Sequence, residues 1–139
     1  MTRARAWTLA LSWVYAAAVA VVTVVPAGAH RRHHGRWWWV VEAVPFQVPP
    51  VSFALNVVMF MPVGVLVPLL WPRAGRIGTI AALCLAASAA IELTQLALWV
   101  TLGNYRTVDV NDLIANTAGG VLGLLVLRVA GGARARATG

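Results

Sequence analysis

IELTQLALWVTLGNYRTVDVNDLIANTAGGVLG, residues 91–123, joins the end of one apolar run to the start of the next across a polar turn. It carries Glu92, Gln95, Arg106, Asp109, Asp112 and Asn116, and it holds three of the four acidic side chains of the chain. A charge at the centre of a membrane helix costs roughly 2.5–3.5 kcal/mol on insertion scales. Groups that costly in surroundings this apolar are expected to act together. The two flanking runs decide the fold, because each is long enough to cross a bilayer.

The rest of the chain repeats that pattern. Of its 139 residues, 60% are hydrophobic and 11% are charged, against about 25% charged in a soluble domain. Apolar residues come in blocks, and a spanning helix needs about 20 of them. Four blocks qualify: 7–29, 51–71, 77–100 and 110–130, the last with its apolar core at 113–130. The expected architecture is all-α, one polytopic membrane domain over 1–139 with four transmembrane helices. Met59, Phe60 and Met61 with Pro62 and Gly64 mark an expected kink in the second helix and are assigned to packing.

The net charge of +7 comes from arginine alone. The arginines sit at the ends of the apolar blocks, where they orient helices and meet anionic headgroups. No basic stripe with interleaved readout residues exists, which argues against a nucleic-acid partner. With the N-terminus cytoplasmic, Arg3, Arg5, Arg73, Arg76, Arg128, Arg134 and Arg136 lie inside, and Arg31, Arg32, Arg36 and Arg106 lie outside. This asymmetry predicts both termini on the cytoplasmic side. Arg3 and Arg5, an apolar run and Ala27-Gly28-Ala29 also resemble a cleavable signal peptide, but the run exceeds the usual signal core of about 7–15 residues. An uncleaved first helix is the expectation.

The outer loop, residues 30–50, carries Trp37, Trp38 and Trp39, suited to a headgroup-level belt. His30, His33 and His34 could converge on a metal, yet no carboxylate is spaced to complete a site, so none is expected. Pro45, Pro49 and Pro50 predict an extended end to the loop. The lone Cys84 sits in an apolar block and is expected to pack there; it allows no intramolecular disulfide.

Helical geometry brings the polar groups to one level. At about 1.5 Å rise per residue, Asn56, Glu92 and Asn116 would all lie roughly 7–12 Å below the outer surface. Ser88, Glu92 and Gln95 share one side of the third helix, and Asp112, Asn116, Gly119 and Gly123 share one side of the fourth. Gly119-x-x-x-Gly123 permits close helix approach. Plainer roles also fit. Asp109 and Asp112 could be an N-cap and its acidic first turn, Arg106 an interfacial anchor paired with Asp109 or Glu92, and Asn56 and Asn116 interhelical hydrogen bonds. A carboxyl inside a spanning helix is nonetheless a functional candidate by default.

At these residues the chain resembles the VanZ-like family of bacterial membrane proteins. NVVMFMPVGVLVPLL, residues 56–70, resembles the family's N-x-x-x-F-x-P-x-G element. Residues 91–123 resemble its E-x-x-Q and R-x-x-D-x-x-D-x-x-x-N-x-x-G-x-x-x-G signature, at Glu92 and Gln95, then Arg106, Asp109, Asp112, Asn116, Gly119 or Gly120, and Gly123. The resemblance implies a multi-pass plasma-membrane protein, and links the family to teicoplanin resistance; no cofactor is expected. It implies no reaction. Three functions stay open: a site facing the outer leaflet for a lipid headgroup, a lipid-linked wall precursor or a glycopeptide; a membrane enzyme acting on a lipid-linked substrate with Glu92 and Asp109 or Asp112 as acid and base; and a small proton-coupled transporter.

Overall fold

The computed structural model describes residues 2–24, 41–102 and 108–137. Four helices account for most of them: α1 (Arg3–Val24), α2 (Pro50–Leu70), α3 (Ile77–Leu102) and α4 (Val110–Ala137). Each is long and apolar enough to cross a membrane, over Arg3–Thr23, Pro50–Leu70, Ile77–Thr101 and Val110–Ala133. The expected all-α architecture of four transmembrane helices is therefore the one observed. Among the described residues a parallel pairing joins β1 (Val41–Glu42) to β2 (Val108–Asp109), with Val41 opposite Val108 and Glu42 opposite Asp109.

Local chemistry fixes the helix ends. Pro49 is extended and Pro50 opens α2 at its first position, where a missing N–H costs nothing. The helix stops at Trp71, which is pushed to φ −134° and ψ 86° before Pro72. A 3₁₀ turn, Pro72–Ala74, then turns the chain into α3. α2 runs on unbroken past Pro62 and Pro68. Each proline withholds an N–H from the carbonyl four residues back, a loss that neighbouring helices can absorb within a membrane.

Three helix ends differ from the sequence reading by two residues or more, and both ends of α2 differ by one. α1 starts at Arg3, α3 continues to Leu102 and α4 continues to Ala137. Backbone hydrogen bonding does not stop where the hydrocarbon does, so flanking arginines and the Gly131-Gly132 pair stay helical. Residues 25–29, the expected end of the first helix with its cleavage motif, lie outside the described residues.

The fourth helix is wedged between the second and third. A Cβ added at Gly119 would stand 2.2 Å from the Val57 carbonyl oxygen, and one at Gly123 would stand 2.0 Å from that of Met61. On the α2 side, a Cβ at Gly64 would stand 1.9 Å from the Gly120 oxygen. Gly64 also meets the Leu124 backbone, so from Val57–Gly119 through Met61–Gly123 to Gly64–Leu124 the partners ascend together, and α2 and α4 run parallel with their backbones touching. Against α3 the order reverses: Glu92 meets Asp109, Ser88 meets Asn116, and Cys84 meets Gly120. α3 is thus antiparallel to α4. Phe60, Ile80, Cys84 and Leu124 form the buried apolar core among the three helices, which places Cys84 in packing as expected.

α1 touches this unit lightly. Its Tyr15 hydroxyl donates to the Met59 carbonyl at 2.8 Å, while Trp7 and Trp13 face outward. At the end of α4 far from the acidic residues, Arg128 donates from Nη2 to the Gly75 carbonyl at 2.8 Å and ties the α2–α3 turn in place.

Candidate functional site

The polar residues gather at the end of the bundle where α4 begins. Asp109 precedes the first residue of α4, and its Oδ1 accepts the Asn111 N–H at 2.8 Å. This is N-cap geometry. The N–H of Asp109 itself donates to Glu92 Oε2 at 3.1 Å. In an ordinary capping box, that bond is supplied by a Glu three residues into the same helix. Here the third position is Asp112, which takes the Asn56 Nδ2 of α2 as a donor. Glu92 of α3 completes the box from across the interface. Capping and helix docking are thus one hydrogen-bond network.

One turn further along α4, Asn116 Nδ2 donates to Ser88 Oγ of α3 at 2.8 Å. The expected single polar face is therefore shared between two neighbours. Asp112, Gly119 and Gly123 face α2, whereas Asn116 and Gly120 face α3. Asn56 and Glu92 meet the start of α4, and Asn116 sits a turn beyond them rather than level with them. Gln95 is buried close to Glu92 on α3. Arg106 and the histidines of the outer loop lie outside the described residues. Among the described residues no group of three or more His, Cys, Asp or Glu could hold a metal.

Two oxygens of this network are left over. Glu92 is 4% exposed and Asn116 is 2% exposed. Glu92 Oε1 and Asn116 Oδ1 have no hydrogen-bond partner among the described residues. Among the described residues, the charged groups that act on the Glu92 carboxyl are Asp112 and Asp109, and Asp112 is close enough to share a hydrogen bond with it once either acid is protonated. A buried acceptor without a donor costs about 1–3 kcal/mol, more when charged. The arrangement can therefore receive hydrogen-bond donors. The Ser88 hydroxyl is fully buried and already bonded to Asn116, which leaves it poorly placed as a nucleophile.

Sequence reasoning passed over Asn111. It is among the most buried polar residues, and its side chain reaches both the N-cap and the loop that precedes α2. Its Nδ2 donates to Asp109 Oδ1 at 2.7 Å and to the Val44 carbonyl at 3.2 Å, and its Oδ1 accepts the Phe46 N–H. Phe46 has φ 63° and an exposed ring. That left-handed backbone is rare for an aromatic residue. The Asn111 amide and the β1–β2 pairing together fasten the loop over the start of α4. The polarity of Asn111 in so apolar a chain was the one available hint.

Neither a search of curated proteins nor one of solved structures finds a match to this chain. A comparison with family models matches the VanZ/LLP1 model over residues 10–131. That span includes all of α2 and α3, the whole polar network and most of α4. This multi-pass membrane protein belongs to the VanZ/LLP1 family.

Proposed function

We propose that the protein sits in the bacterial plasma membrane as an envelope component, with both termini cytoplasmic, and uses the network at the start of α4 to bind a polar headgroup in the outer leaflet. The ligand class is a lipid headgroup, a lipid-linked wall precursor or a glycopeptide, and protection against teicoplanin is the phenotype this would produce. The reading rests on one observation: Glu92, buried in an apolar helix, spends one oxygen on the Asp109 N–H, and its other oxygen meets no described N–H or hydroxyl donor. A purely structural cap would need only the first. Asn56, Gln95, Asp109, Asp112 and Asn116 line or brace the site, and Arg106 of the same polar turn takes the anionic part of the ligand. Gly119, Gly120 and Gly123 hold α4 in register.

Two measurements test this. Glu92→Ala, Arg106→Ala and Asp112→Ala are compared with the wild type for envelope lipid and precursor retained through purification, and for teicoplanin susceptibility of the host. Retention and any protection should fall while membrane levels stay normal; unchanged behaviour of all three would refute the site. Sidedness is read with a membrane-impermeant maleimide on Gln47→Cys and Gly78→Cys in a Cys84→Ser background. Both positions are exposed, and nothing lies within 4 Å of a Cβ at Gly78. Labelling from outside at residue 47 and not at residue 78 is expected; the reverse would turn the site toward the cytoplasm.

A further inference from the structure

The acidic side chains of the chain, Glu42, Glu92, Asp109 and Asp112, all lie toward the end of the bundle where α4 begins. Glu42 stands opposite Asp109 in the β1–β2 pairing, Glu92 accepts the Asp109 N–H, and Asp112 takes the Asn56 amide. The other end holds the opposite charge. Arg73 sits in the 3₁₀ turn between α2 and α3, Arg76 immediately precedes α3, and Arg128 reaches that turn from α4. Glu92 is sixteen residues along α3 from Arg76, and Asp112 is sixteen along α4 from Arg128, a separation of about 24 Å on either helix. These three arginines have no carboxylate side chain of their own chain within reach.

All three are exposed. Arg76 carries its charge at the start of a helix, where a cation is disfavoured. Arg128 is held in place, because its Nη2 donates at 2.8 Å to the carbonyl of Gly75, which lies between Arg73 and Arg76 in the chain. A guanidinium has more N–H donors than one carbonyl can use, so the rest of that fork is open among the described residues. Trp71, Ile77 and Val129 are exposed beside the arginines, which puts apolar surface and cationic donors on one rim. Orienting the helices requires arginines at this end. It does not require one of them to be tied to the turn that carries the other two.

We propose that this rim is a site for the phosphate of an anionic phospholipid, gripped by the Arg128 fork and by Arg73 and Arg76 of the turn. The neighbouring apolar residues take the acyl chains, which selects a lipid over a soluble phosphate. In the orientation proposed above, the lipid belongs to the inner leaflet, where anionic headgroups attract basic segments. The site uses the end of the bundle remote from Glu92, so it stands or falls apart from the outer-leaflet reading.

The purified full-length protein in detergent is titrated with phosphatidylglycerol and phosphatidylethanolamine of identical acyl chains, and retention is read by native mass spectrometry. Phosphatidylglycerol should be retained about tenfold better, because the arginines repel the ammonium of the other lipid. Arg128→Lys keeps the charge but loses the planar fork, and should remove most of that preference. The double variant Arg73→Gln/Arg76→Gln leaves the Gly75 bond alone and should do the same, so a folding defect in one variant does not shield the proposal. Arg5→Gln removes an exposed charge at the start of α1 and should leave the preference within about twofold. Equal retention of the two lipids, or a preference that survives in either folded site variant, overturns the proposal. An equal fall in Arg5→Gln also overturns it, by showing a diffuse positive surface. Inorganic phosphate is the competing arm: displacement of phosphatidylglycerol at matched concentration overturns the lipid as the ligand, and lack of displacement supports it.

Discussion

Replacing Gly123 by alanine should loosen the bundle more than any other single-methyl change along α4. The added Cβ would stand 2.0 Å from the Met61 carbonyl oxygen and 2.9 Å from its carbon. An ordinary carbon–oxygen contact is about 3.3 Å, so the two backbones must part by about 1.3 Å. Neither atom can rotate aside, because both the oxygen and the new Cβ are fixed to helical backbone. A gap of even 0.5–1 Å forfeits about a quarter to a half of each dispersion well. The neighbouring contacts of Gly119 with Val57 and of Gly64 with Gly120 would open with it. Overpacking of this kind costs about 1–3 kcal/mol, and the upper part of that range is expected here because backbone is involved. Gly131 supplies the internal control: the same helix, the same substitution and no atom within 4 Å. Gly131→Ala should be neutral or gain up to about 1 kcal/mol from helix propensity. Reversible unfolding in mixed micelles, followed by circular dichroism and tryptophan fluorescence, measures both. If the two variants agree within about 0.5 kcal/mol, the α2–α4 backbone contact does not exist as described.

Three further outcomes follow from the same packing. A Cβ at Gly120 would fall 2.1 Å from Cys84 Sγ but 3.3 Å from its Cβ, so Gly120→Ala should destabilise by about 1–3 kcal/mol and Cys84→Ala should recover most of that loss in a double-mutant cycle. Glu92→Ala strands the Asp109 N–H at a cost of about 1–3 kcal/mol, whereas Glu92→Gln should cost much less in the same unfolding assay; equal losses would remove the completed capping box. Asn111→Ala should release the segment around Val44 and Phe46, seen as faster amide exchange there, and Phe46→Gly should stabilise by about 1 kcal/mol by relieving its positive φ; unaltered exchange in Asn111→Ala would show that the loop is held by other means.

Much of this could be read from the chain because the membrane leaves few choices. Four apolar blocks long enough to span gave four spanning helices, and Glu92, Asp112 and Asn116 were too polar to face lipid. Gly119 and Gly123 signalled a close helix contact through their spacing alone. The partners were harder to read. Spacing put Asp112 and Asn116 on one face, but a wedge between two helices divides a face, and periodicity cannot say where the division falls. Asn111 was hidden because its bonds run to Val44 and Phe46, more than sixty residues away. The β1–β2 pairing was hidden for the same reason, since two-residue strands carry no pattern. Helix ends were misplaced because hydropathy marks the hydrocarbon boundary, not the last backbone hydrogen bond.

The parallel pairing of α2 with α4 imposes an order on biosynthesis. Asn56 and its partner Asp112 are 56 residues apart in the chain, and at translation rates of about 5–20 residues per second the ribosome needs about 3–11 s to make that stretch. For that interval α2 waits with a bare glycine notch and an amide lacking its eventual acceptor. The α2–α4 seam therefore closes only after the last helix has been made, however the earlier segments enter the lipid.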